Sequence, residues 1–326
     1  MSIRNSTDTL PQPIIDLREK IYAQYSAELH TLPIDIAFHF VSRLYLWQRF
    51  KDTAELKDVL FPAWGTLDGS VDALMQTLPA KAQLPPEVPI NSAERRMRYF
   101  KKYPMLRSYN AVLLRSVLLR NCFEIDSSRY FKELFDKVPA QETYEELSRD
   151  KETIAELSTY AVNFLYFFSH FALDDPSSLD INNLLSIGLA ATHEDMSPED
   201  IQLILYLYTH CVLGESEFYY KSVPNERAQV YITMMCEAEK LIADNFELVH
   251  LDNKFEFLVC CAIAGIDSPL RAAIYKEALA SKSMDGDFLV DTLNNYPQSH
   301  RTSLAMSEHR NVLFILSTLA YEPLGN

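Results

Sequence analysis

Helix periodicity runs through this chain almost without a break, and it leaves little room for any other secondary structure. Pro13 stands at the start of "IIDLREKIYAQYSAELHTL", where Ile14, Leu17, Ile21 and Tyr25 fall on one face. Pro33 opens the next segment, with Ile36, Phe40, Leu44 and Trp47 as its stripe. Similar segments follow up to "SEHRNVLFILSTLAY", and several begin with an N-cap and a nearby acid. Ser197-Pro198-Glu199-Asp200 is the cleanest such start. Met234, Met235 and Tyr231 are spaced as the core face of a late helix. No segment alternates as a strand does. Only 7 of 326 residues are glycine, far fewer than sheet-rich or nucleotide-loop folds spend on turns and close approaches. The expected class is all-α.

Residues 78–92, "LPAKAQLPPEVPINS", carry four prolines and are the best candidate boundary. The expected division is an N-terminal helical portion, 1–90, and a helical-hairpin repeat region, 91–326, packed as one unit. The repeat is readable when "FLYFFSHFALDDPS" (164–177), "ILYLYTHCVLGESE" (204–217) and "FLVCCAIAGIDSPL" (257–270) are aligned. The first two pair Tyr166 with Tyr206, Ser169 with Thr209, His170 with His210 and Leu173 with Leu213. Each unit reads as an apolar helix, a tight polar turn and an amphipathic return helix. Hairpins of this kind build an α/α toroid, the preferred arrangement, or a curved α-solenoid.

The C-terminal part is similar to an uncharacterised family of bacterial all-helical proteins of α/α-toroid type. The resemblance rests on "YLYTHCVLGESEF", "NFELVHLDNKFEFLVCCAIAG", "SMDGDFL" and "SHRTSLAMSEHRNVLFIL", in that order, over roughly residues 195–320. It singles out Thr209 with His210, Asp285 with Gly286, and His300 with Thr302. "LGESEF" stands where the family tends to have a Thr-Asp-aromatic-Gly turn, and "FELVHLDNKFEFL" keeps the rhythm of the family's acidic helix without its residues. The resemblance implies a fold and carries no activity.

Net charge is -15, which argues against general affinity for nucleic acid or anionic membrane. The apolar runs "AVNFLYFF" and "FLVCCAIAGI" fall short of a bilayer span. "MSIRNSTDTL" lacks the apolar region of a signal peptide, and the five cysteines sit in apolar helical runs without a C-x-x-C pair. A cytoplasmic protein with buried, reduced thiols is expected.

A toroid gathers equivalent helix ends on one rim, where His170, His210, Glu215, Glu217, Asp285 and His300 could converge as acid–base pairs or hard-metal ligands. In that reading His210, Glu215, Asp285 and His300 are catalytic, and His170 and Glu217 bind. Each also has a plainer use. His210 would interact with free carbonyls at a helix C-terminus, Asp285-Gly286 is a turn dipeptide, and His300 is a solvated loop residue. The plainer uses are favoured.

The basic segment "ERRMRYFKKYPMLR" carries Arg95, Arg96, Arg98 and Lys101 among aromatic residues, a pattern open to phosphate or nucleic acid, with an acidic peptide as the middle case. The favoured reading is a solvated helix face paired with the acidic run "ETYEELSRDKETIAE". Motifs for nucleotide loops, zincins and serine hydrolases are missing, and no cofactor is indicated. The expectation is a binding or accessory protein for a peptide, protein or small ligand. The alternative is an enzyme using acid–base or metal-assisted chemistry around His210 and His300.

Overall fold

The computed structural model describes residues 2–3, 10–47, 53–63, 94–124, 140–283, 285–290 and 303–325. In chain order its elements are β1 (Ser2–Ile3), α1 (Gln12–Glu28), α2 (Ile34–Leu46), α3 (Thr53–Ala63), α4 (Glu94–Lys102), α5 (Leu106–Phe123), α6 (Ala140–Leu147) and α7 (Lys151–Leu157). There follow α8 (Thr159–Phe167), α9 (Ile181–Ala191), α10 (Pro198–Glu215), α11 (Ala228–Asp244), α12 (Leu251–Ile263), β2 (Ile266–Asp267), α13 (Arg271–Ala280) and α14 (Leu304–Thr318). The protein is all-α, as its periodicity requires. The one ribbon among the described residues pairs Ser2 with Asp267 and Ile3 with Ile266, antiparallel and too short to leave an alternating pattern. No described helix is long and apolar enough to cross a membrane.

The chain forms two compact units, residues 1–63 with 219–326, and residues 64–218. This differs from the expected division at residue 90, because α1 and α2 pack on α14 rather than standing as a separate N-terminal portion. The proline-rich stretch 78–92 lies outside the described residues.

In the unit of residues 64–218, α8 packs against α10 and α5. Phe164, Leu165, Tyr166 and Phe167 meet a core that includes Leu205, Tyr208, Cys211 and Val212, all at most 1% exposed. Two glycines permit the close approach. A Cβ on Gly214 would run into the ring of Tyr166, and one on Gly188 into the ring of Tyr208. The chain enters α10 through a complete capping box. Asp200 N donates to Ser197 Oγ (3.2 Å), and Ser197 N donates to an Asp200 carboxylate oxygen (2.9 Å). After α8 the helix widens into a π turn over Phe168–Ala172, which holds His170.

In the other unit, α12 and α14 form the centre. Phe255 and Phe314 meet at 5.3 Å, and Tyr275 joins Phe314 edge-on at 6.2 Å. The stripe read on α1 is buried in full, and Tyr25 stacks on Phe40 of α2 at 4.9 Å. Of the α2 stripe, Phe40, Leu44 and Trp47 are buried while Ile36 is half-buried. Met234, Met235 and Tyr231 of α11 lie in the core.

The cysteines need one correction. All five are free and four are buried, but Cys236 is exposed. It follows Met235 by one residue, about 100° round the helix from that buried stripe. The repeat also breaks in its third copy. Ile266, the counterpart of Leu173 and Leu213, lies in β2, after Gly265 has turned the chain with a φ of 71°.

Candidate functional site

Of the expected rim residues, His170, His210, Glu215 and Glu217 lie in the unit of residues 64–218 and Asp285 in the other. His210 is not at a helix end, since α10 continues to Glu215. Its Nδ1 is 2.8 Å from Asn163 Oδ1 on α8, which makes it a tie between two core helices. Glu215 is buried at the end of α10. Asp285 belongs to the other unit and sits in a turn, where Gly286 adopts a φ of 69° and donates its N–H to Ser283 O at 2.9 Å. Its carbonyl accepts from Lys20 Nζ (3.4 Å), and the neighbouring Asp287 carboxylate pairs with the same lysine at 2.6 Å. Asp285 is thus an exposed turn residue. His300 lies outside the described residues.

His170 and Glu217 do come together. His170 is buried, with Nδ1 3.7 Å from Glu217 Oε1. Glu217 pairs with Arg120, whose guanidinium lies 4.2 Å from the ring centre of Phe171. Asn121 donates to the Glu217 carbonyl at 2.8 Å. Glu217, Phe218 and Tyr219 have φ values of 49°, 60° and 71°, a run of left-handed residues without a glycine. Such a conformation costs about 1–3 kcal/mol per residue and persists only where the surroundings impose it.

The basic helix α4 is paired with the acidic run, as expected. Arg95 bridges Glu156 and Asp200 at 2.8 Å each, Arg98 meets Glu152 at 2.7 Å, and Lys102 meets Asp150 at 2.5 Å. Arg96 Nε donates to the Glu156 carbonyl at 3.1 Å, and Lys101 is exposed. Burial pushes the Asp150 carboxyl up, but bonds from Lys102, Thr153 and Tyr103 outweigh it and hold the group at about 2. This face is a network of internal pairs.

A different cluster holds the most perturbed chemistry. On α2, His39, Arg43 and Trp47 recur at i, i+4 and i+8, so they share one helix face. α14 supplies Glu308, His309 and Arg310, and α12 supplies Asp252 and Glu256. His39 Nδ1 is 2.7 Å from Glu308 Oε2, although out of line for a hydrogen bond from the ring. The rings of His39 and His309 are 5.2 Å apart and inclined at 58°. His309 Nε2 is 4.0 Å from Glu256 Oε2, and Arg310 holds Asp252 at 2.7 Å. Glu308 is 2% exposed, whereas the side chains of His39 and His309 are 28% and 38% exposed. Two imidazoles thus reach solvent above buried carboxyl groups.

The electrostatics follow from that placement. Burial pushes the Glu308 carboxyl up to about 7, against the opposing pull of Arg43 and His309. Burial, then the facing His39, pushes His309 down to about 4. Burial and Arg43 push His39 well below its ordinary value. Near neutral pH the pair is therefore a carboxyl group close to half-ionised beside a neutral imidazole. Three atoms here are buried and meet no hydrogen-bond partner among the described residues: His39 Nδ1, Trp47 Nε1 and Glu308 Oε1. Each such group costs about 1–3 kcal/mol unless a partner meets it.

Sequence reasoning missed this cluster. The signal was two polar intrusions into apolar helices, "FHFVSRLYLW" and "MSEHRNVLF". Nothing local says that the two meet. Among the described residues no group of three or more His, Cys, Asp or Glu side chains is placed to hold a metal ion. No family model matches the chain, and no curated protein or solved structure matches it significantly.

Proposed function

We propose that this is a binding or accessory protein that takes a short peptide or peptide-like molecule along the seam of α2 and α14. The observation that carries the reading is the set of three buried polar atoms that meet no hydrogen-bond partner among the described residues, His39 Nδ1, Trp47 Nε1 and Glu308 Oε1. The eight steps from His39 to Trp47 rise about 12 Å along the helix, the span of about four residues of extended chain. The indole offers a donor, and the carboxyl–imidazole end both gives and accepts. A peptide backbone alternates the complementary groups.

Histidine-selective NMR of the full chain at pH 7.5, titrated with a library of tetrapeptides, tests it. Shifts at His39 and His309 that vanish in Trp47→Phe support the site, since phenylalanine keeps a ring and removes the donor. Failure of every peptide to move either signal rejects it.

A second reading, an enzyme using acid–base chemistry, is favoured by the 2.7 Å carboxyl–imidazole approach and a carboxyl group that titrates near neutrality. Mass spectrometry of the same library after incubation separates the two. Cleavage that disappears in His39→Gln supports the enzyme, and intact peptides support the binding protein. In keeping with the resemblance to the bacterial helical family, the hairpins are proposed to form an α/α toroid, or else a curved α-solenoid. Free thiols are in line with a cytoplasmic location.

A further inference from the structure

His39 and His309 face each other across the seam of α2 and α14, one imidazole on each helix, with ring centres 5.2 Å apart. We propose that this seam is a proton-operated latch, closed while both imidazoles are neutral and released when they gain charge together, so that α2 lifts from α14 on acidification. Its consequence, release of a ligand from the seam, rests on the binding role proposed above. Its mechanism does not.

The groups around the two rings determine the response. From α2 itself come Asp35 and Arg43, and Arg43 lies one turn from His39 and donates to its carbonyl at 3.3 Å. From α14 come Glu308 and Arg310. From α12 come Asp252, already paired with Arg310, and Glu256, 4.0 Å from His309. From α1 comes Tyr25, close enough to feel both Glu308 and Arg310. Tyr219, whose ring lies 5.9 Å from the Arg43 guanidinium, completes the surround. α3, packed on the same helix, buries Leu56 and Leu60.

Acid removes the nearest counter-charge before it loads the rings. Glu308 takes up its proton near pH 7, whereas His309 titrates at about 4. His39 and His309 therefore charge beside a neutral acid and a permanent Arg43 cation. Like charges on two rings 5.2 Å apart repel, and their exposed edges only partly screen them. Separation of the helices restores their solvation.

Hydrogen exchange of the full chain at pH 7.5 and 4.5, corrected for intrinsic chemistry, tests the latch without ligand. Residues 34–46 should accelerate at least about tenfold, the effect of a tenfold difference in proton affinity between the closed and the open seam. Residues 198–215 should stay protected. The double variant His39→Gln, His309→Gln should lose that acceleration. No acceleration in the wild type overturns the proposal, and so does equal acceleration of both segments, which is global acid unfolding. Acceleration that survives in the double variant overturns it as well. Should that variant not fold, His309→Gln alone is read instead. Its acceleration falls at least threefold, and an unchanged response overturns the latch. The peptide titration at pH 7.5 is separate, so the latch can fail with peptides still bound, and peptides can fail with α2 still released.

Discussion

His39 Nδ1 and Glu308 Oε2 lie 2.7 Å apart, one on α2 and the other on α14, with the carboxyl buried and the imidazole half-exposed. The carboxyl is close to half-ionised near neutral pH and the imidazole neutral, and the two groups answer to pH in opposite ways.

Glu308 binds its proton more tightly folded than unfolded. Its contribution to stability is full below about 4.5 and is lost as pH rises through about 7. Glu308→Gln mimics the protonated form at every pH. The variant should be more stable than wild type by about 3 kcal/mol at pH 8, and nearly equal to it at pH 4.5. Urea denaturation at the two pH values reads the difference.

His309 has the opposite sign. Its folded value of about 4 lies below the unfolded 6.5, so stability rises with pH across that window and is lost on acidification. His39, shifted the same way, adds to it. Between 4.5 and 6.5 Glu308 offsets one of the two histidines. The wild-type stability profile should peak between about pH 6.5 and 7 and fall on the acid side. His309→Gln should flatten the acid limb in the same denaturation series.

Gly214→Ala raises helix propensity by about 1 kcal/mol, yet its Cβ would collide with the Tyr166 ring. Overpacking should win, for a net loss of about 1–3 kcal/mol. Thermal unfolding of the single variant measures it.

Glu124 ends α5 in the left-handed region, with a φ of 56°, and its side chain is exposed. Glycine adopts that conformation without strain. Glu124→Gly should stabilise by about 0.5–1 kcal/mol, read as a rise in the unfolding midpoint.

Asp200→Ala removes the carboxylate arm of the capping box of α10, which accepts from Ser197 N, and the pair with Arg95. About 1 kcal/mol belongs to the cap and at most about 1 kcal/mol to the exposed ion pair. Only the second part should disappear in 1 M salt, where surface charges are screened.

Features set by residues near one another in the chain are legible without coordinates. The buried stripe of α1, the capping box at Ser197 and the Met234–Met235 core face all depend on spacings of a few residues, whereas the pairing of α4 with the acidic run was read from complementary charge about 50–60 residues apart. Sequence reasoning misplaces His210 because its helix runs on for five more residues, with Gly214 tucked against Tyr166. No local rule marks such an approach. Alignment of helix ends in a repeat does not decide where their side chains point, so the contact of His170 with Glu217 is not legible from it.

By itself, the sequence determined an all-helical protein, because 3.6-residue periodicity and scarce glycine act within single elements. Tertiary structure alone decided that α2 meets α14, joining His39 to Glu308 and His309 from opposite ends of the chain. Burial then moved their proton affinities, and burial depends on which helices pack together.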